Sequence, residues 1–188
     1  NYDAWISNGF ESDDYLVIRG YHYLNLGWNP IMITVDKDAN AYTGLSVYDF
    51  TQDVPEIKLL PSFGSLWDTG KKIAGDGFIF LCHQLLSGDN TDDYKPSLLT
   101  GKKFGEKASY KLLKDCSTPK EALEVVVKTY KEWYPKEFTY ESWDGDKIQG
   151  SWLQQLQLYY KCAKMKSSME DTLDVEDLLK EHGVKYNE

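Results

Sequence analysis

The sequence predicts a mixed α+β fold, with a β-rich part at residues 1–62 and a helical part at residues 63–188. Before position 62, apolar residues alternate with polar ones in short runs that glycines and prolines interrupt. After Phe63 the apolar spacing changes to the period of amphipathic helices. Strands that come first and helices that follow are typical of an α+β architecture. At 188 residues the chain can build one sizeable core, so we predict a single domain over residues 1–188.

The first part is predicted to hold a small antiparallel sheet. The clearest hairpin joins residues 31–35 to residues 45–48, because apolar residues alternate on both sides of the polar segment 36–40. High β-propensity between glycines or prolines predicts three more strands: residues 15–18, 21–26 and 57–60.

The second part is predicted to hold about five helices. The best-defined one begins at Thr118, where a proline at the first helical position and Glu121 form a capping-box pattern, and Pro135 ends it. Gly183 followed by Val184 predicts a left-handed cap after the last helix. Apolar spacing predicts the other four helices at residues 78–86, 104–114, 148–163 and 174–181. For the third of these, Asp146 and Gln149 supply a weaker start signal.

Negative charge is concentrated in the first part. The formal net charge is −9, and positions 1–60 hold nine acidic and three basic residues out of 30 and 21 in the chain. An acidic surface repels nucleic acid and anionic lipid, but it attracts a basic protein. Arg19 is the single arginine of the sequence, which further disfavours phosphate recognition. We therefore predict a protein-binding protein with a basic partner.

Cysteine usage and hydropathy predict a cytoplasmic protein. The three cysteines are an odd number at wide spacing without a CxxC pair, so neither a disulfide framework nor a zinc site is predicted. No apolar run has the length of a membrane span, and no membrane association is predicted. The chain begins at Asn1 rather than at Met, which leaves open whether a leader preceded it. The sequence predicts no oligomeric state.

Catalytic and metal-binding patterns are weak. Cys82 and His83 are neighbours on a predicted helix, where their side chains point about 100° apart and cannot act on each other. Asp36, Asp38 and Asn40 have the spacing of the first ligands of a calcium loop, but the required Gly and Glu positions are Ala41 and Val47. A solvated hairpin turn is therefore favoured, and we predict no enzyme activity, no cofactor and no metal.

Acidic residues and one aromatic loop are the predicted partner-binding features. Trp143 stands among Tyr140, Asp144 and Asp146 in a predicted loop between two helices, and such a composition is typical of a binding hot spot. Anchoring of the loop to the core is an equal alternative. The predicted partner-binding residues are Asp36, Asp38, Asp49, Asp53, Tyr140, Trp143, Asp144 and Asp146.

The aromatic pattern after position 130 resembles a known family. A helix closes on Tyr130-Lys-Glu-Trp133-Tyr134, Trp143-Asp144 follows, and Gly150-Ser151-Trp152 opens the next helix. Over residues 124–179 this pattern resembles the C-terminal helical region of PoNi-type immunity proteins, which neutralise bacterial polymorphic nuclease toxins. The chain departs from the family pattern at residues 154–156, and its first part has no counterpart there.

Charge and resemblance together predict an immunity or inhibitor protein that binds and occludes a basic toxin domain, in particular a nuclease. One alternative is a small hydrolase or transferase that uses Cys82, His83 or a carboxylate pair in a cleft between the sheet and the helices. A second alternative is a phage or mobile-element inhibitor of a host enzyme, which would need the same kind of surface.

Overall fold

A computed structural model describes Gly9, residues 11–142 and residues 144–186. The α-helices of this part are α1 (Ser12–Asn25), α2 (Gly77–Ser87), α3 (Glu106–Leu113), α4 (Pro119–Trp133), α5 (Trp152–Ala163) and α6 (Val175–Glu181). The strands are β1 (Ile31–Ile33), β2 (Ser46–Tyr48), β3 (Ile57–Leu59), β4 (Leu66–Asp68), β5 (Ile73–Gly75), β6 (Phe138–Glu141) and β7 (Lys147–Gly150). The mixed α+β class is confirmed, and the three-stranded sheet precedes α2 to α6 as predicted, although β4 to β7 lie in the part that was predicted to be helical.

The three-stranded sheet has the order β1-β2-β3. β2 pairs antiparallel with β3, but β1 pairs parallel with β2, so the predicted antiparallel hairpin between 31–35 and 45–48 is wrong. Parallel pairing needs a long connection, and residues 34–45 provide one that contains a short 3-10 helix, Lys37–Ala41. Asp36 Oδ1 accepts a hydrogen bond of 2.9 Å from Asp38 N and so begins this helix.

Residues 12–25 form α1 and not the two predicted strands at 15–18 and 21–26. Val17 and Ile18 are buried on one side of α1, and Gly20 lies so close to Leu45 that an added Cβ would stand 3.1 Å from its Cδ1. β-propensity reflects packing on a pleated surface more than a backbone preference. Here burial against the chain before β2 selects the helix.

The remaining helices lie close to their predicted places. Thr118 Oγ1 accepts from Glu121 N at 3.2 Å, which is the predicted cap of α4. Val184 N donates to Leu179 O at 2.9 Å behind Gly183, whose φ is +65°, so the predicted cap after α6 is also confirmed.

Two short hairpins were not predicted. β4 and β5 pair antiparallel just before α2, and β6 and β7 pair antiparallel between α4 and α5. The predicted helix start at Asp146 is therefore wrong, because residues 147–150 form β7 and Ser151 caps α5 by accepting from Gln154 N at 3.2 Å. The loop expected around Tyr140 is accordingly the end of a β-hairpin.

One hydrophobic cluster contains residues of both parts of the chain, from Val17 to Tyr186. α2 is buried on nearly all sides and contacts α3, α4, α5 and the Lys37–Ala41 helix. Tyr130 of α4 donates from its hydroxyl to Leu85 O at 2.7 Å, so that a buried polar group is satisfied inside the cluster. The assignment of residues 1–188 to one domain stays a prediction.

The segment after α5 is tied to the first part of the chain. Met165 N donates to the Tyr42 hydroxyl at 2.5 Å, and Lys166 N donates to Asp14 Oδ1 at 2.7 Å. Among the described residues, no helix combines the length and the apolar composition that crossing a bilayer requires.

Candidate functional site

The three-stranded sheet exposes a face that is largely apolar. Met32 and Val47 point to the core, so their neighbours along each strand point the other way. The pairing register aligns these neighbours in two rows, Ile31–Ser46–Leu59 and Ile33–Tyr48–Ile57. We call these six residues the outer face. Ile33 keeps 64% and Leu59 67% of its surface exposed, so the outer face is accessible to another molecule.

The loop between β2 and β3, residues 49–56, flanks the second row of the outer face. Phe50 and Val54 are exposed in it, beside the carboxylates of Asp49, Asp53 and Glu56. Asp49 accepts hydrogen bonds from Thr51 Oγ1 at 2.6 Å and from Thr51 N at 2.9 Å. The bonds from Thr51 and Gln52 lower the pKa of Asp49, so this loop carries negative charge at neutral pH.

A cleft of about 720 Å³ lies between the inner side of β2 and β3, the β4–β5 hairpin and α2. The β2–β3 loop and the segment after β1 also line it, through Asp49, Asp53, Val54, Glu56, Asp36 and Lys37. Two ion pairs stand at its walls. Lys58 Nζ lies 2.5 Å from Asp76 Oδ2, and Lys37 Nζ lies 2.5 Å from Asp89 Oδ2. Both carboxylates are buried, so each lysine compensates a charge that the fold has removed from water.

Cys82 and His83 do not form a catalytic pair. Cys82 is fully buried, and burial raises the pKa of its thiol, so the reactive thiolate is not populated at neutral pH. His83 is buried beside Phe80, and burial followed by the charge of Lys37 lowers its pKa to about 4. His83 is therefore neutral, and its Nδ1 has no hydrogen-bond partner within the described part of the chain.

Asp38 is turned inward, which contradicts the expectation that it is solvated. It is 7% exposed, and Gln84 Nε2 of α2 donates to its Oδ1 at 2.5 Å. Burial, then the charges of Asp36 and Asp89, raise the pKa of Asp38 to about 7. A carboxyl that is buried inside the chain is not available to a protein partner, so Asp38 does not belong to the candidate interface.

The predicted partner-binding residues do not all share one surface, although Asp36, Asp49 and Asp53 line the same cleft. Asp36 and Asp38 lie at the start of the Lys37–Ala41 helix, and Asp49 and Asp53 lie in the β2–β3 loop. Tyr140, Asp144 and Asp146 belong to the β6–β7 hairpin, a different sheet. The β2–β3 loop adjoins both this cleft and the outer face.

The β6–β7 hairpin is a distinct acidic surface. Asp144 and Asp146 are exposed, and the Ser142 hydroxyl donates to Asp144 Oδ1 at 2.5 Å, which lowers the pKa of that carboxyl. Phe138 stacks on Tyr134 with ring centroids 5.3 Å apart and so anchors the hairpin to the end of α4. Trp143 lies outside the described residues.

The outer face was missed by reasoning from sequence, although a signal is present. β1 reads Ile-Met-Ile and β3 reads Ile-Lys-Leu, so apolar residues occupy the positions that an ordinary one-sided strand gives to polar residues. A strand apolar on its solvent side calls for a second surface to cover it.

Comparison of the chain with protein-family models, with curated proteins and with solved structures finds no match. The resemblance of residues 124–179 to PoNi-type immunity proteins accordingly stays a prediction.

Proposed function

We propose that this protein is an immunity or inhibitor protein that binds a basic toxin domain through the outer face and the β2–β3 loop. The observation that carries the proposal is the pair of exposed, in-register apolar rows beside a loop rich in carboxylates. The expected mechanism is occlusion, in which the bound protein covers the partner's active site or the path of its substrate.

The composition of this surface is that of a protein interface. Isolated exposed apolar residues are common, but apolar residues aligned in adjacent rows form a patch, and such patches mark binding surfaces. Ile33, Tyr48 and Ile57 form the row next to the loop, and Phe50 is a further exposed apolar residue in that loop. An apolar centre with a polar rim is the usual anatomy of protein interfaces.

The charge of the β2–β3 loop favours a basic partner. Residues 49–56 contain three acidic and no basic residues, and Lys58, the next basic residue, is engaged with Asp76 on the opposite side of the sheet. A cationic surface on the partner would therefore be attracted, since complementary rim charges accelerate encounter. The resemblance to immunity proteins of nuclease toxins also favours a cationic partner, because a nuclease is cationic where it binds its substrate.

The test uses a partner captured from the source cell and then purified. The double variant Ile33→Asp/Ile57→Asp is expected to weaken its affinity about 100-fold or more, because two charges would be desolvated at the centre of the interface. The matched control is Leu98→Asp/Leu158→Asp, which changes two exposed apolar residues on other elements. Equal binding by both double variants would refute the proposed surface.

The inhibitory role needs a separate readout. Expression of the captured partner should arrest growth, and co-expression of the wild-type chain should restore it, whereas the Ile33→Asp/Ile57→Asp variant should not. Failure of the wild-type chain to protect would refute the immunity role and leave only binding. A phage or mobile-element inhibitor would use the same surface, so the identity of the captured partner separates it from an immunity protein.

A further inference from the structure

We propose that Asp38, Asp89 and Asp92 form a binding site for a hard divalent cation, of the Ca²⁺ or Mg²⁺ class, with Gln84 as a fourth oxygen donor. This site is independent of the proposed function, because it lies at the Lys37–Ala41 helix and the loop after α2 and not on the outer face. The sequence motif at Asp36, Asp38 and Asn40 fails as a calcium loop, but the fold supplies the other ligands from a distant segment.

The three carboxylates converge without being neighbours in sequence. One oxygen from each lies within 4.8 Å of the others. Asp38 and Asp89 are buried, whereas Asp92 is exposed, so the group is open to solvent on the Asp92 side. Hard cations take carboxylate, carbonyl and water oxygens as ligands, and this arrangement offers the first two with room for water beside Asp92.

Two buried polar atoms without partners point to the same place. Gln84 is 2% exposed, and its Oε1 has no hydrogen-bond partner in the described part of the structure, although the same amide donates to Asp38. The Tyr94 hydroxyl is also buried and unpaired by the same criterion. The backbones of Tyr94 and Asp89 exchange two hydrogen bonds of 3.0 Å, which hold Tyr94 beside one of the three carboxylates. Unsatisfied buried oxygens are rare in folded proteins and call for a ligand or an ion.

The charges of the group are unbalanced. Lys37 is the cation in direct contact, through Asp89, and its side chain is 43% exposed. Asp36 adds a further carboxylate close by, since its Oδ1 accepts a hydrogen bond from Asp38 N at 2.9 Å. A bound divalent ion would neutralise this excess, and the exposed ammonium of Lys37 can turn to water when the ion binds Asp89.

The experiment is calorimetric titration of the whole chain with Ca²⁺, and separately with Mg²⁺, in the absence of any protein partner. We expect saturable binding of one ion per chain and a rise in the unfolding temperature on addition of the ion. Asp92→Asn should weaken the affinity about tenfold or more, since ligand charge sets the affinity of such sites. Its exposed position leaves the fold intact, and removal of a like charge should leave the ion-free protein at least as stable.

Two further variants keep the result decisive. Asp115→Asn removes an exposed carboxylate far from the group in sequence and should bind the ion like the wild type. Lys37→Met removes the competing ammonium and should bind the ion more tightly. The proposal is overturned if neither the wild type nor Lys37→Met shows saturable binding of either ion, or if Asp92→Asn and Asp115→Asn behave alike, which would indicate a diffuse counterion atmosphere only.

Discussion

The two faces of the three-stranded sheet have similar apolar content and opposite surroundings. Met32 and Val47 are enclosed on the side of α2, whereas Ile31, Ile33 and Leu59 remain exposed on the other side. Lys58, the one charged residue of the three strands, points to the enclosed side, where it pairs with Asp76. Hydrophobicity along a strand therefore does not determine which face is the core. The packing partner does, and an uncovered apolar face is available for another protein.

The largest expected effect is a difference in stability between variants of two adjacent residues of β1, Met32 and Ile33. Met32→Asp should lower the free energy of unfolding by about 5 kcal/mol, because an unpaired carboxylate would enter the core. Ile33→Asp should cost about 1 kcal/mol or less, since its side chain stays in water. Urea denaturation at neutral pH measures both. Similar losses for the two variants would mean that the outer face is covered within the chain.

The second effect concerns the inward carboxyl of Asp38. Its pKa rises from 3.8 unfolded to about 7 folded, so the folded state holds the extra proton and stability falls as the pH rises through that interval. In the presence of a chelator, Asp38→Asn should be more stable than the wild type at pH 8 by up to about 4 kcal/mol. Its amide can also donate to the unpaired Gln84 Oε1.

The same comparison at about pH 4 is its control, because the wild-type carboxyl is then protonated in the folded state and the difference should nearly vanish. Denaturant unfolding across the pH range provides the measurement. A difference that does not change with pH would show that Asp38 keeps an ordinary pKa.

A smaller effect is expected from the inward lysine of β3. Lys58→Met should cost about 2 kcal/mol, because the buried Asp76 would lose its cation while keeping the hydrogen bond from Ser65 N at 2.9 Å. The partial exposure of Lys58 holds the loss below that of a fully buried pair. Leu59→Met, one residue along and on the outer face, is the matched control and should change stability little. The double variant Lys58→Met/Asp76→Asn should recover part of the loss.

The smallest effect on stability is expected for Asp53. Because Asp53 is exposed in the β2–β3 loop, Asp53→Asn should change the free energy of unfolding by less than about 0.5 kcal/mol at any pH. It should still slow association with the basic partner and weaken the dependence of that rate on salt. Stopped-flow association at two ionic strengths tests this; a rate equal to that of the wild type would remove Asp53 from the interface.

The sequence predicted correctly those helix ends that residues close in sequence determine. The hydroxyl of Thr118 and the backbone of Gly183 act within a few residues, and the start of α4 and the cap after α6 were predicted correctly. α1 was missed because its aromatic residues favour strands in isolation, while burial of Val17 against distant residues decides otherwise. The parallel pairing of β1 with β2 was missed because alternation does not specify strand direction.

The candidate sites were harder to predict than the helices. Asp38 and Asp53 look alike in sequence, and only the position of Gln84 distinguishes a buried carboxyl from a solvated one. Likewise, Asp38 and Asp89 lie close together only because α2 packs against the Lys37–Ala41 helix. Charge counts along a chain give its average field but not the direction in which each carboxylate points.

The hydrogen bonds from Met165 and Lys166 back to Tyr42 and Asp14 bear on how the chain acquires its structure. They join residues 123 and 152 positions apart, and contacts of such separation form late because a long loop must first close. During synthesis, the leading sixty residues leave the ribosome well before the segment that completes them. A fragment ending before α2 should therefore remain unfolded, and its apolar strands would be exposed to aggregation until the segment after α5 has been synthesised.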